Sequence, residues 1–245
     1  MISIQSKKSK IILFVLSFIL VGVVPIQAQS KVGTSSMSFL GIGAGPKALS
    51  MGGAYVALSD GASAVYWNAG ATAQLENTAV TFSHTDYFVD TDIIHGSGVI
   101  KPNRANAIGF SFYSVNYGRQ EVTTVTDQYG NGTYWEASDL ALTLNYSRLL
   151  TDRFSLGGNF KYLHEKIWET SASAFAVDVG LLFKTQLPGL QLGMSISNYG
   201  NDIKFSGSSL YERIDIDPDN GGHNENITSE LKTEQWPIPL YFRTG

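Results

Sequence analysis

The stretch Asp139-Leu140-Ala141-Leu142-Thr143-Leu144-Asn145-Tyr146-Ser147 alternates strictly, with Leu140, Leu142, Leu144 and Tyr146 on one side and Ala141, Thr143, Asn145 and Ser147 on the other. A period of two puts successive side chains on opposite faces of a β-strand, and no helical period fits these residues. The next stretch repeats it: Phe154, Leu156, Gly158, Phe160 and Tyr162 oppose Ser155, Gly157, Asn159 and Lys161. Between the two lies only Leu149-Leu150-Thr151-Asp152-Arg153, a link short enough to make them antiparallel neighbours in a hairpin.

Outward from this hairpin the same pattern continues. Phe175, Val177, Val179, Leu181 and Phe183 oppose Ala176, Asp178, Gly180 and Lys184; then Leu190, Leu192, Met194 and Ile196 alternate with Gln191, Gly193, Ser195 and Ser197. Weaker strands are expected at Thr78–Thr85, Ile93–Lys101 and Ala107–Tyr117, and an eighth begins in Pro239–Thr244. The second face carries Ser, Thr, Gly, Ala and Asn with few charges, and Asp178 and Lys184 on it point to a wet interior. The links Lys101–Asn106, Leu149–Arg153 and Thr185–Gly189 are short, whereas Gly118–Ala137, His164–Ser173 and Tyr199–Trp236 are longer and polar. Short turns on one rim, long loops on the other and strands of about 9 to 11 residues are the layout of a transmembrane antiparallel β-barrel. A soluble β-sandwich also alternates, but its solvent face would carry more charge. Tyr87, Phe88, Tyr113, Tyr117, Tyr134, Trp135, Tyr146, Tyr162 and Trp168 lie mostly near strand ends, as interfacial girdles require.

The chain opens on Lys7, Lys8 and Lys10, an apolar run Ile11–Val24, and Pro25-Ile26-Gln27-Ala28. This order of charged, apolar and small-residue regions predicts a secretory signal peptide over residues 1–28, since the run is shorter than the roughly 20 residues a spanning helix needs. Its removal leaves 14 basic side chains against 21 acidic, so no basic surface suits nucleic acid. With no cysteine, the chain has neither a disulfide framework nor a thiolate site.

Residues 29–76 read differently. Phe39-Leu40-Gly41-Ile42-Gly43-Ala44-Gly45-Pro46, Lys47-Ala48-Leu49-Ser50-Met51-Gly52-Gly53-Ala54 and Asp60-Gly61-Ala62-Ser63-Ala64-Val65-Tyr66-Trp67-Asn68 are rich in Gly and Ala and too irregular for lipid-facing strands. Irregular backbone at membrane depth is tolerated only inside protein. An inward-folded plug is expected here, with a periplasmic arm as the alternative.

The run from Met51 to Asn68, with Met51, Gly52, Gly53, Ala54, Asp60, Trp67, Asn68 and the following Gly70, resembles the N-terminal signature of the PorV/PorQ family of outer-membrane proteins, distant relatives of FadL-type transporters. Thr151-Asp152-Arg153-Phe154-Ser155, Leu192-Gly193-Met194-Ser195-Ile196-Ser197-Asn198 and Trp236-Pro237-Ile238-Pro239-Leu240 are similar to the family's barrel strands and turns. The family continues Trp-Asn with Pro-Ala-Gly, whereas this chain has Trp67-Asn68-Ala69-Gly70 and lacks the proline's fixed φ. The resemblance implies an outer-membrane location, a barrel of roughly fourteen strands, and a non-enzymatic role beside outer-membrane lipid with secreted cargo or type IX secretion components as partners. FadL kinship would instead imply a transporter of small hydrophobic compounds. An eight-stranded barrel has an interior only just filled by its own side chains. A plug of about 45 residues would not fit it, so residues 77–245 are expected to be an incomplete barrel, C-terminally truncated at about 8 of about 14 strands.

Little else in the sequence carries chemistry. Gly41-Ile42-Gly43-Ala44-Gly45 lacks the spacing and the strand–helix context of a nucleotide loop. His164-Glu165 has no second histidine at zincin spacing, and no G-x-S-x-G elbow occurs. Asp215, Asp217 and Asp219 set oxygen ligands at alternate positions, which suits a divalent cation weakly. Asn220 and Asn226 stand where an EF-hand needs Gly and Glu. No catalytic residue, resident metal or cofactor is expected.

Overall fold

The computed structural model describes residues 36–214 and 227–245. The expected signal peptide and the Asp215, Asp217 and Asp219 loop lie outside the described residues. Seven long strands follow in chain order: β1 (Ala79–Asp86), β2 (Asp92–Ile100), β3 (Asn106–Glu121), β4 (Tyr134–Thr151), β5 (Phe154–Ile167), β6 (Thr170–Lys184) and β7 (Gln191–Gly200). Each pairs antiparallel with the next. Two-residue β8 (Ser206–Gly207) caps β6, β9 (Tyr211–Ile214) pairs with β10 (Ile227–Glu230), and β11 (Tyr241–Thr244) adds to β7 as the eighth wall strand. Among the described residues no pairing joins β1 to β11. Among the described residues no helix is long and apolar enough to cross a membrane.

Every expected strand is present, but several are longer than their alternating cores. β4 runs 18 residues and β6 runs 15. The extension corrects two expected loops. The link His164–Ser173 is a tight turn on Trp168-Glu169, with Trp168 at φ 52°, and Gly118–Ala137 shortens to the residues between Glu121 and Tyr134. Polar residues there keep backbone pairing, as in Glu165↔Ala172 and Glu121↔Tyr134, because each added ladder bond satisfies groups that would otherwise need water.

The alternation maps directly onto exposure. Leu144, Tyr146, Phe160, Phe175, Val179 and Met194 point outward and are largely exposed, while Ala141, Thr143, Asn145, Ser147, Asn159 and Ala174 are buried on the other face. What buries the inner face is residues 36–77, not water. Its short helical pieces Ser38–Gly41, Pro46–Ser50, Ala64–Trp67 and Ala71–Gln74, with the turns that flank them, lay Met37, Phe39, Leu40, Tyr55, Tyr66 and Trp67 against Tyr113, Val115, Ala141, Leu163 and Ala174. The expectation of a wet face, drawn from Asp178 and Lys184, fails at Asp178, whose side chain is 2% exposed and ion-paired, whereas Lys184 at the end of β6 is exposed. Tyr113 is corrected too, being 1% exposed, turned inward, and a core residue instead of part of a girdle.

Candidate functional site

The inner segment meets the sheet most closely at Asn68, Ala69 and Gly70. Here the wall is made of glycines. A Cβ on Gly157 would sit 2.3 Å from the Ala69 carbonyl oxygen, and one on Gly180 would sit 2.3 Å from Asn68 Oδ1 and 2.7 Å from Ala69 N. The contact is reciprocal, since a Cβ on Gly70 would lie 2.3 Å from the Gly180 oxygen. Backbone thus touches backbone, an approach only glycine permits.

Asn68, with no exposed surface, fastens this contact. Its Nδ2 donates to the Val56 carbonyl at 2.8 Å and to the Leu181 carbonyl at 2.9 Å, and its Oδ1 accepts from Gly70 N at 3.1 Å. It is extended at φ −154°, ψ 101°, the region a residue before proline would also occupy, although Ala69 follows.

A buried polar row crosses the wall at the same height. Thr72 Oγ1 lies 2.8 Å from Asn145 Oδ1 and 2.6 Å from Ser147 Oγ. Asn145 Nδ2 donates to Asn159 Oδ1 at 2.8 Å, and Asn159 Nδ2 donates to Asp178 Oδ2 at 2.7 Å and to the Val65 carbonyl at 2.8 Å. Lys161 Nζ contacts the same Asp178 oxygen at 2.8 Å and donates to Asn198 Oδ1 at 2.8 Å; Asn198 Nδ2 then reaches the Pro239 carbonyl at 3.1 Å. The row follows from strand register: Asn145 faces Asn159 and Asn159 faces Asp178. Asn198 enters it through a β6–β7 irregularity, where it takes a left-handed φ of 66°, which Asn tolerates better than most residues, and its N–H donates to Asp178 Oδ1 at 2.7 Å. Lys161 is 5% and Asp178 2% exposed by side chain, so the charges are compensated by each other and these amides, with the Tyr66 ring 5.9 Å from Lys161 Nζ.

The residues expected to form the inner motif fall into two groups. Trp67, Asn68 and Gly70 converge on the wall; Trp67 Nε1 donates to the Ala44 carbonyl at 2.8 Å, and Arg243 of β11 lies 5.4 Å over its ring. Met51, Gly52, Gly53, Ala54 and Asp60 belong instead to the folding of the segment itself. Gly52 (φ 63°) and Gly53 (φ 80°) turn the chain left-handedly after Pro46–Ser50, Met51 is half-buried against the core, and Ala54 is exposed. Asp60 Oδ1 accepts from Tyr55 Oη at 2.5 Å and Oδ2 pairs with Lys47 Nζ at 2.5 Å. Burial alone would raise the Asp60 pKa, but the bonds from Lys47 and Tyr55 and the Lys47 charge hold it below the usual carboxylate value. Burial, with the bond to Asp60, pushes the Tyr55 phenol up.

Sequence reading missed the polar row as a unit. Asn145, Asn159, Lys161 and Asp178 each stood on the inner face, and aligning the hairpins by their turns would have placed three of them side by side. At the long-loop rim, two adjoining grooves of about 700 and 610 Å³ share Ser38, Glu165 and Ile167; Tyr87, Phe88, Trp135, Phe205 and Trp236 also line them. Among the described residues one group of metal-type ligands converges, His84, Asp86 and Asp92, all exposed at the β1–β2 end.

An outward apolar belt, an antiparallel wall in chain order and an interior filled by the chain's own N-terminal residues define the class: a strand-built wall closed from within by its own segment. A family model described as type IX secretion system protein PorV matches residues 25–217, most of the chain. The chain belongs to that PorV family, and it is thereby a type IX secretion-associated protein. No curated protein matches it.

Proposed function

We propose that the protein is a non-enzymatic outer-membrane component of type IX secretion, a barrel wall whose plug is residues 36–77 and whose long-loop rim engages secreted cargo or secretion components. The observation that carries the reading is the combination of a lipid-suited outer face with an inner segment fixed by buried hydrogen bonds. Exposed Phe110, Leu144, Phe160, Phe175 and Leu192 face away from the segment, as membrane-facing strand residues must. Asn68, Thr72 and Val65 tie the segment to β4, β5 and β6, so it is part of the wall's packing and not a loose arm. The rim grooves, apolar with Glu165 and Asp139 at their edge, give partners a surface that the wall itself does not.

Outer-membrane fractionation with a heat-dependent shift in gel mobility tests the wall, and affinity capture of the tagged protein from intact cells tests the role. Recovery of secretion components or secreted substrates supports it. Failure to recover either, together with uptake of hydrophobic compounds that depends on this gene, would replace it with the FadL-like transporter.

A further inference from the structure

His95 lies on the inner face of β2, 1% exposed, and neither ring nitrogen has a hydrogen-bond partner among the described residues. Buried polar groups are almost always paired, so an imidazole with two idle nitrogens calls for an explanation. Its ring is held between Tyr66, at 6.3 Å and 75°, and Tyr113, at 6.1 Å and 52°, and cannot turn away freely. It lines a partly open cavity of about 240 Å³ between β1, β2 and the inner segment.

The lining of that cavity is two-sided. Ser83 and Thr85 of β1 bring hydroxyls to the same side as His95, while Ile42, Leu49 and Ile93 form an apolar wall. The Tyr113 hydroxyl is already donated to the Gly43 carbonyl at 2.9 Å, so Tyr113 offers only its ring. No charged side chain borders the space, and an ion placed there would be buried without compensation. The space equals about eight water volumes, enough for one small ring compound. Ile42 and Tyr87 also line the 700 Å³ rim groove, so the two spaces adjoin.

We infer that this cavity is a binding site for a small, uncharged, mostly apolar molecule carrying one hydroxyl, of the phenol or aromatic alcohol class. The hydroxyl bonds to a His95 nitrogen, with Ser83 or Thr85 as second partner, and the ring lies on Ile42, Leu49 and Ile93. A neutral imidazole has one donor and one acceptor, which matches a hydroxyl and not a carboxylate. The site is independent of any secretion role and of the rim partners.

The test uses the purified full chain in detergent with 4-iodophenol as probe. Saturable binding is expected, together with an anomalous iodine peak inside the cavity in crystals grown with the probe. His95→Leu removes an imidazole that holds no protein partner, so the fold should survive, and affinity should fall at least about tenfold for loss of a hydrogen bond to a buried site. Leu49→Trp fills the cavity from a partly exposed position and should abolish binding with His95 intact, which covers the case in which the histidine variant fails to fold. Binding unchanged in both variants would overturn the assignment. So would a crystal in which ordered waters occupy both His95 nitrogens in the presence of saturating probe, since the cavity would then be a structural water site.

Discussion

Replacing Asp178 by Ala gives the sharpest test of how the inner segment is held. The carboxylate takes Asn159 Nδ2 at 2.7 Å and Lys161 Nζ at 2.8 Å on one oxygen and Asn198 N at 2.7 Å on the other. Its loss strands a lysine whose side chain is 5% exposed and leaves the Asn198 N–H without its acceptor, while Asn159 Nδ2 keeps the Val65 carbonyl. Breaking a buried ion pair by removing one partner costs about 3–5 kcal/mol, because the remaining charge is uncompensated. At about 1.4 kcal/mol per decade, that is two to four orders of magnitude in the unfolding equilibrium.

The magnitude separates two explanations. If charge stranding dominates, the double variant Asp178→Leu with Lys161→Met should recover most of the loss, since paired removal is often close to neutral. If hydrogen bonds to the wall dominate, the double variant should stay as unstable as Asp178→Ala, because the Asn198 N–H lacks its acceptor and Asn159 has lost one of its two acceptors in both. Urea unfolding of the protein in lipid vesicles, followed by tryptophan emission, reads the difference as a midpoint shift at unchanged slope. A loss below about 1 kcal/mol in Asp178→Ala would refute the reasoning, since so small a cost fits a solvated pair and not a buried one.

Three further perturbations have defined outcomes. Gly180→Ala should displace residues 68–70, because the new methyl meets Asn68 Oδ1 at 2.3 Å and backbone cannot yield cheaply; about 1–3 kcal/mol is expected, read with faster proteolysis of the inner segment. Trp67→Phe removes the bond to the Ala44 carbonyl and leaves a buried acceptor, for a loss of about 1–3 kcal/mol in the same urea assay. For Asp60, whose folded pKa is lowered, the stabilisation is present above the unfolded value near 3.9 and is lost as pH falls through the folded value. Wild type should therefore lose stability on acidification below about pH 4 by a step that Asp60→Asn lacks; parallel pH profiles would contradict it.

The strands were legible because alternation is local: each residue from Asp139 to Tyr162 declares its face through its immediate neighbours, and the structure keeps those faces. Strand ends were less legible, since the pairing of Glu165 with Ala172 depends on the partner strand more than on the hydropathy of either. The inner contact was hidden for a similar reason. Gly157 and Gly180 look like weak strand residues in one dimension, yet each is required by Ala69 or Asn68, about 90 to 110 positions earlier. Asp178 misled because one charge on a strand face has two opposite physical meanings, a solvated surface or a compensated interior. Only register, which brings Lys161 on β5 and Asn198 on β7 to it, tells them apart.

Asn68 brings these threads together. The family pattern places a proline after this asparagine, and fixing the turn by φ would leave the side chain free for other work. Here Ala69 occupies that position, and the extended conformation of Asn68 is held by three hydrogen bonds of its own amide, to Val56, Leu181 and Gly70. The amide thus supplies the constraint that the sequence lacks. The consequence is that Asn68→Ala should be costlier in this chain than in a relative that retains the proline. Here it removes the contacts to Val56 and Leu181 together with the bond to Gly70 N, and leaves the turn with the bonds from Thr72 and Asn145 to the Ala69 carbonyl. Measuring Asn68→Ala alone and in an Ala69→Pro background decides the point. A smaller loss in the proline background, by about the 0.4–1 kcal/mol that a compatible proline contributes, is expected. Equal losses would mean that the wall contacts alone matter and that the turn needs no second constraint.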